Sequence, residues 1–341
     1  MTPITRTGTV GTSMSTGRAK RTALAAAALG GGGLAARSAR LLWRRRELNW
    51  SAPERFAQDA FLHVQKMGSG HEPVLLLHAL EGSSGYFGSA FDELADPGPL
   101  LVPDLLGFGD SPPSASGYSA PEHVAALTRM LAELQINDPL LIVGHGLGGV
   151  IGLSLAIHQP ERVRALVLIC PPVYSDPQSA RRWLGRKASG RRLDRALSGQ
   201  PFKGPRRLRR TSSLLAAPLR PDLPGPVAKG RVAALGADAY SRTMEECVIA
   251  APAADWLRLV SCPVDMLVPA QAGAVDLALL REISQDNPRV TLTQLPFGDD
   301  RLPLTHPDGC LAAIDRFRDG AVGRISGAKA AASTDTTGPL T

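Results

Sequence analysis

The chain has 341 residues, of which 44% are hydrophobic and 5% aromatic, so it can bury one large core with appendages. Its formal net charge of +7 says little about a partner, because nine Arg or Lys and a single acid lie within residues 1–50 and account for more than the whole excess. The four cysteines are scattered without a CxxC pair, which is typical of reduced, packed thiols and argues against a structural zinc site. We therefore expect a cytoplasmic protein.

Residues 1–50 form a basic arm rich in Ala and Gly. Its apolar part, residues 22–36, has 15 residues and basic flanks, whereas a helix that spans a bilayer needs ~20. We expect this arm to be disordered or loosely helical. Two alternatives stay open: association with an anionic membrane surface through the basic residues, and a signal or anchor. Residues 321–341 form a low-complexity tail that we expect to be disordered.

Between these ends, short apolar runs alternate with segments of helical spacing. Continuous apolar runs are typical of parallel strands that are covered on both faces. The predicted strands are residues 73–79, 99–104, 140–145, 164–170, 262–270 and 289–296, and the predicted helices are residues 121–134, 148–159 and 307–317. The alternation predicts an α/β protein with a doubly wound, mostly parallel sheet flanked by helices.

The alternation stops after residue 170. Residues 171–254 are rich in Pro, Gly and Arg, with twelve Arg or Lys and one acid between residues 181 and 210. One core, residues 51–170 and 255–320, with this stretch inserted as a lid fits the layout better than two tandem domains. The favoured interpretation of these basic residues is that they are solvated on the lid surface. Binding of the lid to an anionic membrane surface is the next alternative. Nucleic acid comes last, because only Trp183 and Phe202 could stack on bases.

Four segments in chain order resemble the α/β-hydrolase fold family. They are "LLLHALEGSSGYF" in and after the first predicted strand, "VPDLLGFGDSPP" from residue 102, "GHGLGG" at residues 144–149 and "HQPERVRALVLICPP" from residue 158. The first departs from the family's usual H-G pair, since Ala79 follows the histidine. The resemblance covers about residues 60–170 and 255–318, and it implies a lid after strand 6, where the insertion occurs.

In this family, a Ser on the strand–helix turn called the nucleophile elbow attacks an acyl carbon, a His takes its proton, and an Asp or Glu orients that His. Alignment without gaps places Gly146 at the nucleophile, Ala272 at the acid and Asp300 at the histidine. The resemblance therefore implies a hydrolase fold whose triad is degenerate. A glycine fits this turn, because the elbow holds its nucleophile at a positive φ that strains any other residue.

Other residues could supply the missing chemistry. Asp265 and Asp276 are alternative acids, although we expect Asp265 within a strand and Asp276 at the start of a helix. His306 lies six residues after the expected base. Cys170, at the end of a predicted strand, is interpreted as a packing residue rather than a replacement nucleophile, since no base is evident beside it.

A ligand pocket can persist without the triad. The resemblance implies an oxyanion hole formed by the backbone N–H groups of Leu80 and Leu147, which could hold a carbonyl or carboxylate oxygen. His78 and His145 are further candidate ligand contacts, although bracing of the loop by His78 and packing of His145 are favoured. No third ligand lies near these two histidines in sequence, so we expect no metal, and no motif indicates a cofactor.

Three functions fit these observations. The favoured hypothesis is a non-catalytic ligand-binding or interaction protein whose ligand is a small lipophilic molecule with a carbonyl or carboxylate group. The second is a hydrolase of small lipophilic esters or amides with a relocated nucleophile or base. The third is a non-hydrolytic, lyase-like activity built on Asp299, Asp300 or His306.

Overall fold

The computed structural model describes residues 48–58, 60–189, 223–236, 238–269, 272–273 and 275–318. The predictions for the N-terminal arm and the C-terminal tail, and most of the basic run of the lid, fall outside these residues. A membrane contact through the arm therefore stays a prediction. Within the described residues, no helix is both long and apolar enough to span a bilayer.

The described residues form one eight-stranded sheet with the order β1-β2-β4-β3-β5-β6-β7-β8. β1 and β2 pair antiparallel at one edge, β2 pairs antiparallel with β4, and all the remaining pairs are parallel. The strands are β1 Phe56–Gln58, β2 Val64–Met67, β3 Val74–Leu77, β4 Leu100–Pro103, β5 Leu140–His145, β6 Val163–Ile169, β7 Val264–Pro269 and β8 Val290–Leu295. The doubly wound α/β architecture predicted from the alternation of strands and helices is confirmed.

Helices connect and cover the strands. They are α1 Ala120–Glu133, α2 Leu147–His158, α3 Pro177–Ser189, α4 Gly225–Gly236, α5 Asp238–Thr243, α6 Ala253–Leu259, α7 Leu277–Asp286, α8 Leu302–Thr305 and α9 Pro307–Arg318, with a π-helical segment Met244–Ile249 after α5. A capping box starts α1, in which the side chains of Ser119 and Glu122 bond the backbone N–H groups of the first turn. The predicted helices and strands thus match observed elements within a few residues.

The core lies on both faces of the central strands. Every residue of β3, β5 and β7 is buried, which explains why these strands are continuous apolar runs instead of alternating ones. α2 is apolar on all sides for the same reason, because ten of its residues are buried. The sheet therefore holds the ends of β3, β5, β6 and β7 in fixed places along one edge, where the loops of the site begin.

α3, α4, α5 and the π-helical segment occupy the sequence predicted to be the lid. Two contacts attach this region to the loop before α1: the backbone N–H of Tyr118 donates to Oε2 of Glu246 at 2.7 Å, and the guanidinium of Arg242 donates to the carbonyl oxygen of Ser116 at 3.3 Å. The domain boundaries themselves stay predictions.

Candidate functional site

The strand–helix turn predicted as a nucleophile elbow lies at the carboxyl end of β5. Gly146 joins β5 directly to α2 and has φ 55° and ψ −112°. Its N–H donates to the carbonyl oxygen of Ile169 at 2.9 Å, which ties the turn to the end of β6. A positive φ combined with this ψ is a backbone conformation that glycine adopts at low cost and other residues adopt only under strain.

Few atoms lie close to the point where a side chain of residue 146 would begin. A Cβ built on Gly146 would lie 3.4 Å from Cβ of Ala79 and 3.9 Å from its Cα, both ordinary van der Waals distances. Apart from the two chain neighbours, no other atom of the described residues lies within 4 Å of that point. Among the described residues, Ala79 is therefore the neighbour that a side chain at position 146 would meet first.

The other two triad positions lie beside the elbow. The N–H of Gly273, next to Ala272, donates to Oδ1 of Asp300 at 3.2 Å. Nε2 of His145 donates to the backbone carbonyl oxygen of Asp300 at 2.9 Å. The loops after β5, β7 and β8 therefore meet where the alignment places nucleophile, acid and base, and they bring together a glycine, an alanine and an aspartate.

The alternative acids have other structural roles. Asp265 lies within β7, buried, where it forms an ion pair with Arg316, and burial raises the pKa of its carboxyl group. Asp276 is the N-cap of α7, because its carboxylate accepts a hydrogen bond from the N–H of Leu279 at 3.2 Å. Both residues lie where the sequence predicted them, and neither contact directs the carboxylate to Gly146.

The alternative base also has local contacts. Nδ1 of His306 lies 2.9 Å from Oγ1 of Thr305, and its ring stacks on Phe297 with the ring centroids 4.7 Å apart. Asp299 forms an ion pair with Arg301 at 3.1 Å. A lyase-like activity built on these residues stays a prediction.

The oxyanion amides are present as backbone groups. Leu147 is the first residue of α2, so its N–H belongs to the first turn, where a helix provides no acceptor. Leu80 follows Ala79 in the loop after β3. Within the described residues, neither N–H has a hydrogen-bond acceptor. An unsatisfied donor at a helix N-terminus favours a negative or partly negative oxygen, and a second free N–H on the neighbouring loop is what the resemblance implies for an oxyanion hole.

His78 orients one of these amides rather than offering a ligand contact. Its Nδ1 donates to the carbonyl oxygen of Ala79 at 2.8 Å, and its Nε2 accepts the N–H of Leu105 at 3.0 Å. The Ala79 carbonyl also accepts the N–H of Gly82 at 2.8 Å. Because this carbonyl and the Leu80 N–H belong to one planar peptide unit, fixing the oxygen fixes the direction of the N–H on the opposite side.

Backbone groups occupy both ring nitrogens of His78, and a ligand contact by this residue stays a prediction. Complete burial lowers the pKa of His78, which keeps the ring in the neutral form that can both donate and accept. The bracing role that the sequence favoured agrees with these contacts.

His145 is buried at the end of β5 and packs against Tyr86. The two rings stack with their centroids 5.2 Å apart and an interplanar angle of 23°. Burial raises the pKa of Tyr86 well above its usual range, so its hydroxyl stays protonated at physiological pH. Together with the bond to Asp300, this packing makes His145 a connector between loops.

Cys170 follows β6 with φ 49°, and its N–H donates to the carbonyl oxygen of Leu267 at 2.9 Å. Sequence reasoning placed this residue at the end of the strand but gave no indication of the positive φ. The side chain is buried and its role as a packing residue stays a prediction.

The ligand atoms of His63, Asp104 and Asp110 lie within 4.8 Å of one another, a group that sequence reasoning missed because the three belong to two separate loops. The carboxylate of Asp104 accepts the backbone N–H groups of Ser84 and Asp110. It therefore ties the loop after β4 to the loop after β3. This bracing accounts for a buried carboxylate at this position without a metal.

Comparisons with known proteins agree with this architecture. Residues 72–210 match the model of the alpha/beta hydrolase fold. Lipase LipV of Mycobacterium tuberculosis is 36% identical over 35% of this chain and 45% of its own length, and a protein named "Probable lysophospholipase BODYGUARD 1" of Arabidopsis thaliana is 31% identical over 36% of this chain and 28% of its own length. The chain thus spans less than half the length of these two curated relatives.

Among solved structures, that of E-2-(acetamidomethylene)succinate hydrolase superposes with a TM-score of 0.61 at 20% identity, covering 78% of this chain and all of that one. The names of the curated relatives agree better with the second hypothesis from the sequence, a hydrolase, than with a non-catalytic protein. They do not test whether the triad is lost. On the family model that matches residues 72–210, the shared architecture and the turn between β5 and α2, the chain has the α/β-hydrolase fold.

Proposed function

We propose that this protein binds the carbonyl or carboxylate oxygen of a small lipophilic compound on the amides of Leu80 and Leu147, without forming a covalent intermediate. The observation that carries the proposal is the space in front of Gly146. A Cβ there would contact only Ala79, so the elbow keeps its shape and its donors while its nucleophile is missing.

Covalent catalysis needs a nucleophilic side chain with a base in hydrogen-bond reach. The three positions where the family carries them hold Gly146, Ala272 and Asp300. Glycine and alanine can neither attack an acyl carbon nor orient a base. An oxyanion hole alone stabilises a developing charge, and it leaves a residual rate enhancement of about 10³–10⁴ over water in triad enzymes that lose their catalytic side chains.

The second candidate is a hydrolase that uses water as its nucleophile, and the names of the curated relatives favour it. Here the amides of Leu80 and Leu147 would hold the substrate oxygen, and the carboxylate of Asp300 would take a proton from a water molecule in the space that a serine would fill. The substrates would be esters or amides of small lipophilic acyl groups. This reaction is general-base catalysis and needs no acyl-enzyme.

Hydrolysis of p-nitrophenyl acetate and p-nitrophenyl octanoate by the purified protein separates the two candidates. Binding without turnover predicts hydrolysis rates equal to those of the denatured protein. It also predicts saturable binding of octanamide to the native protein in equilibrium dialysis. Turnover that is lost in Asp300→Asn but kept in the surface variant Asp286→Asn would support the hydrolase and overturn the leading proposal. Failure of octanamide to bind, with no turnover, would overturn both.

A further inference from the structure

Glu81 connects the lid region to the loop that carries the Leu80 amide. Its Oε2 forms an ion pair with the guanidinium of Arg231 on α4, and its Oε1 lies 3.4 Å from the hydroxyl of Tyr240 on α5. The Arg231 side chain is 21% exposed and that of Glu81 is 36% exposed, so water weakens this pair less than a pair on the open surface. Burial raises the pKa of Tyr240, which keeps its hydroxyl a donor.

The backbone of α4 lies directly on the same loop. A Cβ on Gly230, the residue before Arg231, would lie 2.5 Å from Oγ of Ser83. No real side chain tolerates that distance without a shift, so the helix reaches this position because residue 230 has no side chain. The close backbone approach and the ion pair are separate contacts, and both join α4 to residues 81–83.

The loop is a short turn whose geometry sets the Leu80 N–H. The N–H of Gly82 donates to the carbonyl oxygen of Ala79, so Leu80 and Glu81 are the two central residues of a closed turn. Glu81 is bonded directly to Leu80, so a displacement of the Glu81 side chain changes the turn that contains the Leu80 N–H. Movement of α4 away from the loop removes a charged partner from Glu81 and frees the turn to open.

We propose that Glu81 is a positioning residue which couples the lid helix α4 to the oxyanion amide of Leu80 through its ion pair with Arg231. With the pair intact, α4 stays on the turn and the Leu80 N–H keeps its direction. With the pair broken, both α4 and the turn become more mobile together. The role of the Leu80 amide rests on the proposed function, but the coupling itself can be measured without any ligand.

Hydrogen exchange of the unliganded full chain tests the coupling. The reporters are the Gly82 amide, which its bond to Ala79 protects, and the amides of α4. In Arg231→Met we expect exchange of both reporters to rise by about fivefold, because local opening follows the loss of a partly buried ion pair. Arg258→Met is the matched control, since Arg258 pairs with Glu282 and Asp286 on α7, which are not partners of Glu81 or α4, and should leave both reporters unchanged.

Two further variants keep the test decisive. Glu81→Gln removes the charge from the other partner and should raise the exchange of the same two reporters. It provides the test if Arg231→Met folds poorly. The double charge reversal Glu81→Arg with Arg231→Glu should restore most of the protection. A rise in α4 exchange with unchanged Gly82 exchange would overturn the coupling, as would unchanged exchange of both. Because no acyl compound is present, these outcomes do not depend on whether the protein binds one.

Discussion

Nε2 of His145 donates a hydrogen bond to the backbone carbonyl oxygen of Asp300 at 2.9 Å. The residue before the elbow is thus joined directly to the residue that stands where the family has its catalytic histidine. Because the acceptor is a backbone oxygen, the contact does not depend on which side chain residue 300 carries. The loop can therefore keep its place beside the elbow whichever side chain residue 300 carries.

The first prediction concerns Gly146→Ser. The new hydroxyl has no base beside it, because Ala272 and Asp300 stand at the other triad positions, so we expect no efficient hydrolase: triad residues act as a unit. The variant should also lose about 1–3 kcal/mol of stability, since φ 55° with ψ −112° strains a residue with a Cβ. Thermal unfolding and p-nitrophenyl ester assays measure the two effects.

Gly146→Ala is the matched control for that variant. It carries the same Cβ without the hydroxyl, so it should lose the same stability and stay equally inactive. Robust turnover by the serine variant, or a melting temperature above that of the parent, would show that the positions of acid and base are assigned wrongly.

The second prediction compares two buried histidines. His78→Leu leaves the buried N–H of Leu105 without a partner, which should cost about 1–3 kcal/mol, and removes one of the two hydrogen bonds that the Ala79 carbonyl accepts. His123→Leu should cost less, because the buried ring nitrogens of His123 have no hydrogen-bond partner among the described residues. Urea unfolding at pH 7 measures both.

The same pair checks the positioning role of His78. With one of its two hydrogen bonds lost, the Ala79 carbonyl holds the Leu80 amide less firmly in its direction, so His78→Leu should weaken octanamide binding whereas His123→Leu should not. Equal stability losses and equal binding in the two variants would contradict the account of His78.

The third prediction is a loss of stability in mild acid. Burial is the main factor that lowers the pKa of His123, to about 3, and the neighbouring His78 adds to it. A histidine whose pKa is lower in the folded state favours folding above its unfolded value of 6.5, and this stability falls as the pH drops below that value towards 3. From pH 7 to pH 5, His123 alone should cost about 2 kcal/mol.

The lowered pKa of His78 acts in the same direction. Urea unfolding of the parent and of His123→Leu at both pH values isolates the contribution of His123, since the remaining groups are common to both proteins. The variant should lose less stability than the parent between pH 7 and pH 5. An identical loss in the two proteins would show that His123 does not titrate in this window.

The sequence predicted what depends on local pattern. The buried strands, α2 and the elbow at Gly146 follow from apolar runs and from two glycines that flank a turn, and Asp276 was expected at the start of a helix, where it caps α7. The meeting of Gly273 with Asp300 could be expected only through the family resemblance, because 27 residues separate them.

Other features depend on distances that no sequence pattern encodes. The pair of Glu81 with Arg231 joins residues 150 positions apart in different parts of the fold, and Arg231 lies outside the four motif segments. Sequence favoured a bracing role for His78 but could not show which backbone groups its two nitrogens bond. The positive φ of Cys170 likewise had no signal in the sequence.

The most direct test of the central claim is an amide-shift titration of protein labelled with ¹⁵N-leucine, using octanamide and assignments from Leu80→Ile and Leu147→Ile. We predict saturable shifts of the Leu80 and Leu147 amides and recovery of the octanamide unchanged, because the elbow offers two donors and no nucleophile. Unchanged positions of both amides at saturating octanamide, or its conversion to octanoate by the protein, would contradict the account.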